Sequence, residues 1–156
     1  MEKLLGKEIK EILFNEKDQI ICFHVKDELN FDKFFYYSFF GDCCSECWVS
    51  DIIGVDNSNN TTVKSCSYLA LGHTEQRTKQ DIDDVHGIVI EFDNKPKNHN
   101  DNSKNLLILY RNSSNGSYYG SVDQIDKLDD NMGFALLKDD YYFKNWMFNK
   151  QKRRFF

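Results

Sequence analysis

Two cysteines three positions apart, Cys44 and Cys47 in the segment GDCCSECW at 41–48, have the C-x-x-C spacing with which one turn presents two thiolates to a tetrahedral zinc ion. Further ligands must come from elsewhere in the chain. Asp42, Cys43, Cys66, His73 and His24 carry the carboxylate, sulfur and imidazole donors that zinc accepts. Adjacent residues of an extended strand point to opposite faces, so Cys43 and Cys44 reach one ion only if the chain turns there. Three other readings stay open for these thiols. They can be inert side chains buried in the core, redox-active thiols, or a nucleophile at Cys43 or Cys44 with His73 or His86 as base and Asp42 or Asp84 behind it.

Charge suggests a different kind of site. Asp81, Asp83 and Asp84 form one acidic cluster, and Asp123, Asp126, Asp129 and Asp130 form another. Neither has the spacing of an EF-hand, so both read first as solvated faces, and then as surfaces that a basic partner could meet. The stretch RNSSNGSYYG at 111–120 places Asn115 and Gly116 where a turn needs positive φ, which leaves Arg111 and Asn112 to read a partner. The sequence holds no phosphate-cradling glycine loop, no HExxH and no GxSxG, and the expectation is a protein that is not an enzyme.

These residues need a scaffold, and a chain of 156 residues with thirteen Phe and eight Tyr has the length and apolar content for one domain spanning 1–156. Apolar and polar residues alternate over 6–14 and 19–25 around a polar 15–18, which predicts a β-hairpin. The aromatic run 34–40 predicts a buried strand. Over 45–53 the spacing of Trp48, Val49 and Ile52 predicts a short helix capped by Ser45. A polar turn at 56–62 leads into a strand at 63–71, and another strand is expected at 87–92 before a long polar loop. Strands at 105–110 and 118–122 flank RNSSNGS as a second hairpin. The aromatic tail 139–156 reads as a helix or a partly ordered arm. The fold expected is therefore α+β, mainly an antiparallel sheet with one or two short helices.

The formal charge of −5 sets the chain against direct nucleic-acid binding and against anionic membranes. No uninterrupted apolar run marks a secretory signal near the N-terminus, and five cysteines with two adjacent suit a reducing cytoplasm better than a disulfide framework.

Three blocks in order, GDCCSECWVSDIIGV at 41–55, RTKQDIDDVHGIVI at 77–90 and LYRNSSNGSYYGSV at 109–122, resemble a family of small domains of phages and prophages of Gram-positive bacteria. That family is marked by GDCCS with a tryptophan shortly after it and by RNSSNGYYGG. The chain departs from the pattern at Cys47, where serine is usual, at His86, where tyrosine is usual, and at Ser117, which looks inserted. The resemblance makes Asp42, Cys43 and Cys44 the core of any shared site. Its phage setting implies antagonism of host defence from within the bacterial cytoplasm. Small acidic phage proteins of this appearance resemble inhibitors of the RNA-guided nuclease of type II CRISPR systems. The function expected on that basis is a zinc-binding inhibitor that hinders nucleic-acid loading by protein contact. A metal-dependent or thiol enzyme centred on Asp42, Cys43 and Cys44, or a structural phage module, are the alternatives.

Overall fold

The computed structural model describes residues 1–73, 82–93, 105–115, 120–126, 128 and 131–143, with the side chain of His73 excepted. The loop expected after residue 92 and most of the C-terminal tail lie outside the described residues, as do Asp81, Asp129 and Asp130.

The expected first hairpin is present as β1 (Glu8–Asn15) and β2 (Ile20–Lys26), paired antiparallel from Glu8↔Lys26 to Asn15↔Ile20. Asn15 closes its turn by accepting from the Asp18 backbone N–H at 2.9 Å and donating its amide to the Asp18 carboxylate at 2.9 Å. The aromatic run forms β3 (Asp32–Phe40), antiparallel to β2. Its side chains divide between faces: Tyr37 and Phe39 are buried, whereas Phe34 and Phe40 are exposed.

After a turn comes β4 (Ser45–Ile53), where the spacing had predicted a helix. A β-bulge explains the difference. The register of β4 against β7 (Asn105–Ser114) slips between Val49 and Asp51, so one residue is left unpaired and the side-chain period becomes three at that point. Cys47, Val49 and Ile52 therefore all face the core from a strand, in a spacing that imitates one face of a helix. The same device at β1, between Ile9 and Glu11, turns both Ile9 and Ile12 inward.

The described residues hold one four-residue helix, α1 (Val55–Ser58), and a 3-10 turn at Glu2–Leu4, so the architecture is mainly β and α+β describes it only loosely. Asp140 accepts hydrogen bonds from the Gly54 and Val55 backbone N–H groups at the start of α1, at 2.7 and 3.1 Å. The chain continues through β5 (Thr61–His73), β6 (Ile82–Phe92), β7 (Asn105–Ser114), β8 (Ser121–Ile125), β9 (Ala135–Leu136) and β10 (Tyr141–Tyr142). The tail expectation is corrected over its described part, since β10 pairs with β4 as a strand.

The ten strands among the described residues belong to one sheet in the order β10-β4-β7-β6-β5-β1-β2-β3-β8, with β9 attached to β1. The second expected hairpin does not form: β7 lies between β4 and β6, and β8 pairs with β3 instead. Asn112, Ser113 and Ser114 look like turn residues by composition, yet they continue the β7 ladder and are buried. Long-range pairing on both sides overrides their local turn preference.

One core cluster draws on both halves of the sheet, Ile12, Phe23 and Tyr37 from one and Val49, Ile88 and Ile108 from the other. The sheet therefore bends so that its halves bury each other. β5 spans the bend, pairing with β1 at Thr61 and Thr62 and with β6 from Val63 onward. No helix among the described residues is long and apolar enough to cross a membrane.

Candidate functional site

Residues 41–44 connect β3 to β4, with a tight turn at 42–44. Ser45, expected as a helix cap, caps this turn instead: its Oγ accepts from the Asp42 backbone N–H at 2.7 Å, and its own N–H donates to the Asp42 carbonyl at 3.0 Å. The Asp42 carboxylate accepts from the Cys43 N–H at 2.7 Å. Both cysteines of the turn are exposed, with their Sγ atoms 3.6 Å apart. The Cys43 thiol is pushed above its ordinary value chiefly because it donates to Cys44, with Asp42 adding a smaller repulsion. Gly41 belongs to the same construction, since a Cβ there would stand 2.1 Å from the Ser45 carbonyl oxygen.

The C-x-x-C pair is not brought together on one side. Cys44 is exposed at the turn, whereas Cys47 lies in β4 opposite Asn112 and is buried in the core. Cys66 is half-buried on β5, where burial raises its thiol. His24 sits on β2 between the carboxylates of Glu11 and Asp32, at 3.1 and 2.9 Å. His73 is opposite Asp84 in the β5–β6 ladder. Among the described residues no three His, Cys, Asp or Glu side chains gather into a metal cage.

Burial pushes the thiols of Cys22 and Cys47 up to about 12 from an ordinary 9.0. A thiol whose folded pKa lies above its unfolded value contributes stability in full below the unfolded value and loses it as pH rises toward the folded one. Unfolding free energy should therefore decline as pH rises from about 9 to about 12, and Cys22→Ala and Cys47→Ala should each flatten that decline. Urea titrations at a series of alkaline pH values measure it, and an undiminished slope in both variants would assign the decline to other groups.

Behind the turn, the three sequence blocks meet across β4, β7 and β6. Arg111 is opposite Trp48 on one side and Val85 on the other, and Asn112 is opposite Cys47 and Asp84. Arg111 and Asp83 form an ion pair at 2.8 Å with their side chains 3% and 1% exposed. Asn112 accepts from the Gly120 N–H at 2.9 Å. A Cβ at Gly120 would meet that of Cys47 at 2.4 Å, so the glycine permits the chain to pass this close. Asp83, Arg111 and Asn112, read from the sequence as partner contacts, thus serve the interior of the sheet. Asp84 is half-buried, while Asp123 and Asp126 are exposed at β8.

A surface feature that the sequence reading missed is the tip of the β2–β3 hairpin. Leu29 is 76% exposed and Phe31 64%, with half-exposed Phe34 stacked on His24 at 4.6 Å between ring centroids. Asp27 organises the tip by accepting from the Leu29 and Phe31 N–H groups, each at 3.0 Å, and from the Lys33 ammonium at 2.8 Å. The Lys33 hydrogen bond, then that from Phe31, hold the Asp27 carboxyl below its usual value. Glu28 and Asp32, exposed neighbours of Leu29 and Phe31 in the chain, and exposed Glu11, which with Asp32 holds His24, add carboxylates to this end of the sheet. The signal was present in DELNFD, where two large apolar residues interrupt a charged turn with no alternation to explain them.

Comparison of the chain with protein-family models, with curated proteins and with solved structures returns no match.

Proposed function

We propose that this protein is a non-enzymatic binding module that inhibits the RNA-guided nuclease of a type II CRISPR system by occupying a basic surface needed for guide or target nucleic acid. The choice of partner rests on the resemblance carried by the GDCCSECW, DVHGIVI and RNSSNG blocks. The mode of contact is supported by one observation, the ordered hairpin tip in which Asp27 fixes the backbone of Leu29 and Phe31 while their side chains stay in water.

Large apolar side chains on a loop already held in place lose little entropy on docking, so they act as anchors. The carboxylates at Glu11, Glu28 and Asp32 set the kind of groove that receives them: an apolar pocket with a lysine- and arginine-rich rim. Exposed Asp123 on the neighbouring edge strand and exposed Asp126 just past its end add further negative charge. A groove of that description is also where a nucleic-acid backbone binds, so the two ligands compete.

The test combines binding with DNA cleavage. The intact protein at micromolar excess should bind the nuclease and suppress cleavage. The paired substitution Leu29→Asp and Phe31→Asp should leave the melting curve unchanged and weaken binding by about thirtyfold or more, the range of an interface hot spot. Full inhibition by the paired variant would remove the hairpin tip from the interface. No binding and no inhibition by the intact protein would end this functional reading.

A further inference from the structure

From the turn at 42–44 we infer that Cys43 and Cys44 form a two-thiolate chelate for a thiophilic divalent cation of the zinc class, with the other coordination positions left to water or an external donor. The site is separate from the hairpin tip and stands or falls independently of the proposed partner.

The argument begins with the separation of the sulfurs. A tetrahedral zinc ion with Zn–S bonds of about 2.3 Å places its sulfur ligands about 3.8 Å from one another. Cys43 and Cys44 hold theirs at 3.6 Å, within a small adjustment of that edge and far outside the about 2.0 Å of a disulfide. Neighbouring residues reach this arrangement only because the backbone turns between them, and four features keep it turned: the two Ser45 hydrogen bonds, the Asp42–Cys43 hydrogen bond and the close passage at Gly41. Binding releases thiol protons to solvent and leaves two thiolates on the ion, so no oxidant or reductant is required.

Cys43 and Cys44 are both exposed, so an ion held between them is open to water on its other side. Gly41 and Ser45, on either side of the turn, border a cleft of about 460 Å³ that Glu16, Lys17, Asp18, Glu46 and Cys47 also line and that Cys43 and Cys44 do not. A two-ligand site of this kind differs from the C-x-x-C knuckle that the sequence suggests, because Cys47 faces the core and takes no part.

The probe is Co²⁺, added to protein kept reduced with a phosphine and prepared without metal-affinity resin. The expected result is a thiolate-to-metal charge-transfer band that saturates and is removed by Zn²⁺. Cys43→Ser and Cys44→Ser should each weaken binding by on the order of a hundredfold, an even share per ligand of the free energy of a four-ligand zinc site. Both positions are exposed, so folding is expected to persist, and a melting curve checks it. Cys66→Ser and Cys47→Ala should retain the band. The inference is overturned if the intact protein gives no band up to millimolar metal, if the band survives both Cys43→Ser and Cys44→Ser, or if it follows Cys66 or Cys47.

Discussion

Arg111→Ala should lower the unfolding free energy by about 3–5 kcal/mol, because it leaves the Asp83 carboxylate charged and buried without its main partner. The two groups lie diagonally on one face of the β6–β7 pair, with Val85 opposite Arg111 and Ser113 opposite Asp83. Arg111 donates from both Nε and Nη2 to the same Asp83 oxygen, at 3.0 and 2.8 Å. At 1% and 3% exposure, water cannot replace either group when the other is removed. Asp83→Leu should be comparably costly, for it removes the buried guanidinium's ion-pair partner. The two changes made together should cost clearly less than their sum, since neither then leaves its partner behind as an uncompensated charge. Urea unfolding of the two single variants and the double variant closes the cycle. Strict additivity would show that the pair is not coupled, and that Arg111 stabilises the sheet through its other contacts alone.

Gly41→Ala is the second large effect expected. Its Cβ would lie 2.1 Å from the Ser45 carbonyl oxygen, 2.6 Å from the Ser45 carbonyl carbon and 2.8 Å from the Glu46 Cα, all of them backbone atoms. No flexible side chain can swing aside, so the turn itself must open. The cost should sit at the upper end of the about 1–3 kcal/mol typical of overpacking. A distinctive second readout accompanies it. Opening the turn separates the Cys43 and Cys44 sulfurs, so the cobalt charge-transfer band should be lost in a protein that remains folded at low temperature. A variant with unchanged urea midpoint and intact band would mean that the close passage at Gly41 is not what shapes the turn. Gly120→Ala, which meets Cys47 and the Phe40 carbonyl, should be destabilising while leaving the 42–44 hydrogen bonds in place.

Much of the sheet was legible in the residues because it is built locally. The β1–β2 hairpin was read from alternation around a four-residue polar turn, and its partners are close neighbours in the chain. β5 and the second half of β6 were also visible as apolar runs bounded by polar clusters. The condition for a shared site at Cys43 and Cys44, a turn between them, could be stated from strand geometry alone.

What remained was decided by residues far apart in sequence. The 45–53 segment carries a helix-like spacing, and only its pairing with β7 shows that a bulge produced it. RNSS reads as turn chemistry until β4 and β6 are placed on either side of it. Asp83 reads as a surface charge until Arg111, 28 residues away, is brought against it. Composition and period report which local conformations a segment can adopt. Pairing partners, and with them burial and charge compensation, arise from contacts that no local window contains. The sequence by itself therefore indicated the β1–β2 hairpin, β3, β5 and part of β6 and β7, and the chemical type at each position, while the tertiary structure alone made 45–53 a strand, turned Cys47 inward, left Cys43 and Cys44 facing water together, and exposed Leu29 and Phe31.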